Sequence, residues 1–132
     1  MSNQADQKAV TALVDSGAIV KLGKSGNALM VDFRQVASQV TNQTLSHLQS
    51  LNSIREINLD GAAISDASLA YLKHLVKLTT LDLQRTTVTD AALDQVSSLP
   101  ALKLLLLTGS NVSRERVNEL RKQMLKTRIV YI

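Results

Sequence analysis

The chain has 132 residues, 15 Lys and Arg against 11 Asp and Glu, no cysteine, and an apolar content of 45% with only 2% aromatic. That length suits one core rather than two. The missing cysteines exclude disulfides, thiolate zinc sites, C-x-x-C-H haem attachment and cysteine nucleophiles. With Phe33, Tyr71 and Tyr131 as the aromatic side chains, Leu, Ile, Val and Ala must fill the interior in layers, and the surface has few platforms for stacking bases.

The first residues, MSNQADQKAV, are polar and lack the basic-then-apolar order of a secretory leader. The longest apolar run, LKLLLL at 102–107, contains Lys103 and is far too short to span a bilayer. A cytoplasmic location is expected, or a periplasmic or secreted one for a chain relieved of a leader, and no membrane partner is expected. Next, QADQKAVTALVDSG carries Ala9, Val10, Leu13 and Val14 at helical spacing, with Gly17 as a stop. AIVKL and ALMVDF bracket GKSGN, which reads as a hairpin turn. A P-loop is excluded there because Ala18 stands where the motif needs glycine.

From residue 31 the chain repeats. IREINLDGAAISDASLAYLKHL (54–75), LTTLDLQRTTVTDAALDQVSSL (78–99) and LKLLLLTGSNVSRERVNELRKQ (102–123) align without a gap at a spacing of 24. Ile57, Leu81 and Leu105 share a column, as do Leu59, Leu83 and Leu107, then Ile64, Val88 and Val112, then Leu72, Val96 and Leu120. The L-x-L pair places two side chains on one side of a strand, and the later apolar residues, three apart, line one face of a helix. Neither element can bury its inner side alone, so each unit needs neighbours. A period of 20–29 residues with an L-x-x-L-x-L core marks a leucine-rich repeat. Upstream, Val31 and Phe33 supply the L-x-L pair, with Val40, Leu45, Leu48 and Leu51 following. Phe33 to Val40 is two residues longer than Leu59 to Ile64, which predicts a bulged first turn. Downstream, RIVYI reads as a closing strand. Ser65-Asp66 and Thr89-Asp90 are expected to cap their helices, whereas Ser113-Arg114 loses the acidic dipole complement and predicts a weaker helix start.

The expected fold is α/β: a right-handed leucine-rich-repeat solenoid with parallel strands on the concave face and helices on the convex one. One domain spans 1–132, with a helix-hairpin cap at 1–30, about four repeats at 31–123 and a capping strand at 124–132. The pattern L-x-x-L-x-L-D-L-x-x-T-x-V-T-D-A-x-L-x-x-L-x-x-L resembles the bacterial leucine-rich repeats of planctomycete-type proteins, related in style to ribonuclease-inhibitor and F-box repeats. The likeness covers nearly the whole chain. ELRKQMLKTRI resembles that family's closing segment, E-L-Q-K-A-L-P-x-C-K-I, with Leu125 and Thr127 in place of its proline and cysteine. The resemblance implies a curved module for protein contacts and no reaction.

Outward strand residues fall into columns. Met30, Glu56, Thr80, Leu104 and Arg128 form one, Asp32, Asn58, Asp82, Leu106 and Val130 a second, and Arg34, Asp60, Gln84, Thr108 and Ile132 a third. The candidate partner-binding residues are Glu56, Asn58, Asp60, Thr80, Asp82, Gln84, Leu104, Leu106, Val130 and Ile132. The apolar members Leu104, Leu106, Val130 and Ile132 suit a docking surface, or a contact covered by further chain. The acidic members read either as specific contacts or as solvated strand residues. The β-branched end RIVYI could recruit another strand and form a homodimer. Residues 114–128 carry six cations, Arg114, Arg116, Arg121, Lys122, Lys126 and Arg128, against Glu115 and Glu119. With no interleaved aromatics, this run reads as a solvated terminal helix ahead of an anion or nucleic-acid binder. No G-x-S-x-G or H-E-x-x-H pattern occurs, and His47 and His74 fall in different columns, so surface histidines, no catalytic residue, no metal and no cofactor are expected. The expected function is non-enzymatic binding of a protein partner.

Overall fold

The computed structural model describes residues 4–132; residues 1–3, assigned to the N-terminal cap from sequence, lie outside that range. Helix α1 (Gln4–Asp15) leads into strands β1 (Ile19–Leu22) and β2 (Ala28–Asp32). Gly17, at φ +100°, ends α1 in the left-handed region, and the Ala18 N–H returns to the Leu13 carbonyl at 3.1 Å. Ala9 and Leu13 are buried and Val10 partly so, but Val14 is exposed, so the inward stripe is narrower than its spacing predicts. In GKSGN the Gly23 N–H donates to the Asn27 carbonyl at 2.8 Å, and Gly26 adopts φ +86°.

Three-residue strands then recur: β3 (Glu56–Asn58), β4 (Thr80–Asp82), β5 (Leu104–Leu106) and β6 (Arg128–Val130). The sheet has six strands in the order β1-β2-β3-β4-β5-β6, antiparallel for the hairpin and parallel thereafter. Val31, Ile57, Leu81, Leu105 and Ile129 lie side by side in register, each buried, so from β3 onward every strand is offset from the last by 24 residues. Pairing continues past the strands. Leu59, Leu83 and Leu107 donate their N–H groups to the carbonyls of Asp82, Leu106 and Val130 at 2.8–2.9 Å. A continuous apolar core links all units, with Phe33, Leu59, Leu83 and Leu107 fully inside. Each such side chain contributes about 1.5–3 kcal/mol through burial.

The helical segments vary. A short 3-10 helix covers Arg34–Gln39, kinked at Val36 (φ −125°, ψ 24°), so the two extra residues after Phe33 wind into a turn instead of a bulge. Helix α2 (Asn42–Leu45) continues as a 3-10 helix over Ser46–Ser50, and another 3-10 helix spans Asp66–Leu72. In these units the buried leucines recur every third residue, 45, 48, 51 and 69, 72, 75, which matches a three-residue turn. Ser68 takes the place of Ala92 and is drawn to Asn42 by its hydroxyl. The same columns are buried in α3 (Asp90–Val96), which is nonetheless α-helical, and α4 (Arg114–Gln123) is longer still.

The acids before these helices do not act where local spacing places them. The Asp66 carboxylate accepts from the Thr89 N–H at 2.7 Å and from its hydroxyl at 2.5 Å. Asp90 accepts likewise from the N–H and hydroxyl of Ser113, at 2.6 and 2.7 Å, while Asn42 accepts from the Ser65 N–H at 3.4 Å and donates its Nδ2 to the Ser65 hydroxyl at 3.1 Å. Each acceptor therefore clamps the helix entry of the following unit. This corrects the expected weak start of α4: Ser113 caps the Arg116 N–H at 3.1 Å while Asp90 of the preceding unit fixes Ser113. Arg114 closes the series, since a guanidinium cannot accept, and instead lies 5.5 Å from the Tyr131 ring centroid.

The histidines also differ from expectation. Both are partly buried, and His74 Nε2 lies 3.0 Å from the Leu48 carbonyl oxygen and 2.9 Å from that of Leu51, joining adjacent units. At the far end, Thr127 donates its hydroxyl to the Leu102 carbonyl at 2.7 Å, closing the segment after α4, while Leu125 projects into solvent.

Urea denaturation should show Leu83→Ala costing about 2–5 kcal/mol, because Leu83 is fully inside a layer that cannot collapse without moving both neighbours. Asp90→Ala should cost about 0.5–1.5 kcal/mol through the hydrogen bonds lost to the exposed Ser113, and Asp90→Asn less, since an amide oxygen accepts from the equivalent N–H at Asn42.

Candidate functional site

Strands β2 to β6 hold their even-numbered residues, and β1 its odd-numbered ones, on the face away from the core. Register places Lys21, Met30, Glu56, Thr80, Leu104 and Arg128 in one row across it. Ile19, Asp32, Asn58, Asp82, Leu106 and Val130 form the next row. Glu56 and Arg128 are exposed, and Met30, Asn58, Thr80, Leu104, Leu106 and Val130 are partly so. Asp60, Gln84 and Thr108 follow at the strand exits, partly buried, and Ile132 ends the chain at 90% exposure. The rows thus unite the sequence-derived candidates on one surface. A hollow of about 150 Å³ opens in it, lined among others by Met30, Asp32, Glu56, Thr80, Asp82 and Leu106.

Acidic groups in the middle of this face are committed to their own strands. Asp32 accepts from the Arg34 N–H at 2.9 Å, Asn58 from the Asp60 N–H at 3.0 Å, and Asp82 from the Gln84 N–H at 3.0 Å. Each side chain satisfies a backbone donor two residues on, where the strand turns away. Asp82 is only 6% exposed, and its second oxygen accepts from Gln84 Nε2 at 3.1 Å. Neither a solvated acid nor a free contact, as considered from sequence, describes it. Leu106 and Val130 occupy the equivalent sites in β5 and β6 and offer no such acceptor, so the face becomes apolar where the turn no longer needs a side chain.

Two arginines flank the acids. Arg34 forms a two-pronged pair with Asp32, its Nη2 at 2.7 Å and Nε at 3.1 Å from Oδ2. Hydrogen bonding to Arg34 holds the Asp32 carboxyl below its ordinary range despite the opposing effect of desolvation, with the Arg34 N–H and charge adding to the fall. Arg34 is shifted upward first by its bonds to Asp32 and then by their attraction, with smaller contributions from Asp82 and Asp60. Arg85 pairs with Asp60. Its φ of +53° is the left-handed conformation that Gly61 and Gly109 adopt at +81° in the units on either side. A side chain at this turn is strained, and a Cβ on Gly109 would come within 2.9 Å of Arg85 Cγ.

No family model matches the chain, and a search of curated proteins finds no match. No helix among the described residues is long and apolar enough to cross a membrane.

Sequence reasoning missed Ile19 and Lys21, which extend both rows through β1. The hairpin lies outside the 24-residue register, and only counting back from the Gly23–Asn27 turn could have found them. It also missed the strain at Arg85, although glycine at 61 and 109 in the aligned units is a visible sign that the position favours a positive φ.

Asp32 contributes stability through its lowered folded-state pKa. That contribution is complete above the unfolded carboxyl value of about 3.9 and is lost as pH falls through the lower folded value. The stability gap between wild type and Asp32→Asn should therefore be larger at neutral pH than in strong acid, as read by urea melts across that range. Arg85→Gly should raise stability by about 0.5–1 kcal/mol, because relief of the left-handed strain exceeds the value of one exposed ion pair.

Proposed function

We propose that this chain is a leucine-rich-repeat solenoid with no catalytic role, binding a protein partner through the open face of its sheet. Support for the solenoid comes from the constant 24-residue offset of β3 to β6 with one helical segment between successive strands. The strong general preference for right-handed connections between parallel strands joined through helices supports a right-handed coil. The planctomycete-type repeat pattern and its closing segment agree with this reading.

The observation that carries the binding function is the chemical division of the open face. Its centre is occupied by polar groups fixed by backbone contacts, and its C-terminal third by Leu104, Leu106 and Val130 with no polar task. Partly exposed leucines beside rigid, oriented acceptors give a partner both an apolar anchor and a fixed pattern to read. Glu56, Thr80, Asp60 and Gln84 lie within the same surface, and Ile132 extends it at the chain end.

Strand addition at β6, the alternative route to a homodimer, meets an obstacle. Val130 gives its carbonyl to Leu107 on the β5 side, so by alternation the Ile129 carbonyl faces the free edge, where Arg121 Nη2 donates to it at 3.0 Å. Tyr131 is held by its hydroxyl to the Val112 carbonyl at 3.0 Å, and the Ile132 N–H by Thr108 at 3.2 Å. An incoming strand has to displace the guanidinium, a device that blunts an edge.

Leu106→Ala should change stability by about 1 kcal/mol or less, well below Leu83→Ala, because its side chain is only partly buried. A Leu104→Asp and Leu106→Asp double variant should keep the wild-type circular dichroism spectrum and lose at least about ten-fold in affinity for any partner isolated with the native chain. Retained affinity would place the binding surface elsewhere.

A further inference from the structure

Within the basic run at 114–128, only Arg116 is paired with carboxylates of the chain. Asp94 and Glu119 flank it, whereas Arg121 donates to the neutral Ile129 carbonyl and Arg114 lies over Tyr131, contacts that hold the side chains and leave their charge in place. On the other side of the balance, Asp32, Asp60, Asp66, Asp82, Asp90 and Asp94 are each held by a partner within the chain. Lys8, Lys21, Lys24, Lys73 and Lys122 are exposed without a side-chain hydrogen bond or ion pair, and a further group of such cations lies at the strand starts. Arg55 precedes β3, Lys77 precedes β4, Lys103 precedes β5, and Lys126 and Arg128 open β6; all are exposed, and none forms a side-chain hydrogen bond or ion pair.

Backbone bonds draw these residues into one rim. Thr79 donates its N–H to the Arg55 carbonyl, Lys103 donates to the Thr79 carbonyl, and Arg128 donates to the Lys103 carbonyl, each at 2.8 Å. Neighbouring strands are about 4.8 Å apart, so Lys103 and Arg128 sit one strand from each other and Arg55 two strands from Lys103. Glu56 is the one carboxylate at these strand starts. Like charge along such a rim favours an anionic occupant, most strongly at low salt.

The occupant's class follows from what adjoins the rim. On the open face Leu104 is the register partner of Arg128, with Leu106 and Val130 one step further along. A polyphosphate backbone has no apolar side chain for Leu104, Leu106 and Val130. The rim also lacks a stacking ring, since Phe33 is buried and Tyr131 has its hydroxyl committed to Val112. We propose that the site takes an acidic protein segment carrying aliphatic side chains, whose carboxylates lie along Lys103, Lys126 and Arg128 while its aliphatic groups meet Leu104, Leu106 and Val130. This rests on the protein-binding reading above and adds the partner's chemistry to it.

The test is selection of a displayed random-peptide library on the full chain. It is paired with solution affinities of the enriched peptides for wild type, for Lys103→Glu with Arg128→Glu, and for Leu104→Asp. Melting curves verify that each variant is folded. Enriched peptides should combine Asp or Glu with Leu, Ile or Val, weaken steeply with added salt, and lose at least about ten-fold in affinity on both variants. If enriched peptides lack acids and lose affinity only on Leu104→Asp, the partner chemistry fails while binding through the open face stands. If selection yields nothing, or if loss follows neither variant, the inference fails. Tighter binding of single-stranded oligonucleotide than of any selected peptide at matched salt would overturn it in favour of nucleic acid.

Discussion

Every unit of this protein depends on the two beside it, because a three-residue strand and a short helical segment cannot close a core. Ile57 is covered by Val31 and Leu81 in the sheet, and Leu83 sits between Leu59 and Leu107. The constant 24-residue offset keeps like beside like, so each apolar column becomes one ridge and each backbone donor meets an acceptor in the next unit. Polar groups obey the same rule. Asn42, Asp66 and Asp90 each reach forward to the next helix entry, so dipole, cap and stacking are satisfied by a single side chain.

That dependence accounts for the two ends. The first parallel strand has no predecessor, and an antiparallel hairpin with α1 behind it supplies one. After β5 the acceptor series stops at Arg114, and the end of the chain is drawn inward by Arg121, Tyr131 and Thr108. The open face inherits its character from this ordering. Where a strand exit uses Asp or Asn to hold its own turn, the surface is polar. In β5 and β6, where hydrophobic residues take that place, it is apolar and bordered by free cations.

Much of this was legible before any coordinates. The gapless alignment fixed the strand positions, the shared columns and the inward residues, since burial of an L-x-L pair is a local consequence of side-chain alternation. The helix-hairpin at the front was legible from Gly17 and GKSGN. Helix type was not, because apolar residues three apart fit both an α-helix and a tighter turn, and the same buried columns wind as a 3-10 helix in Asp66–Leu72 and as an α-helix in Asp90–Val96. The candidate face was foreseen as a set of columns, but its electrostatics were not.

The sequence by itself determined the period, the alternation of strand and helix, and which side of each faces inward, for these follow from spacing within a few residues. Tertiary structure alone decided which charges are spent and which are free. An aspartate before a helix is near two helix entries at once, its own and the next unit's, and only the stack shows that Asp66 and Asp90 serve the latter. Likewise Asp82 is hidden, His74 bridges two units, and Arg116 is neutralised by Asp94. Their partners lie some two dozen residues away or depend on how the chain turns, so neither composition nor local pattern could assign them.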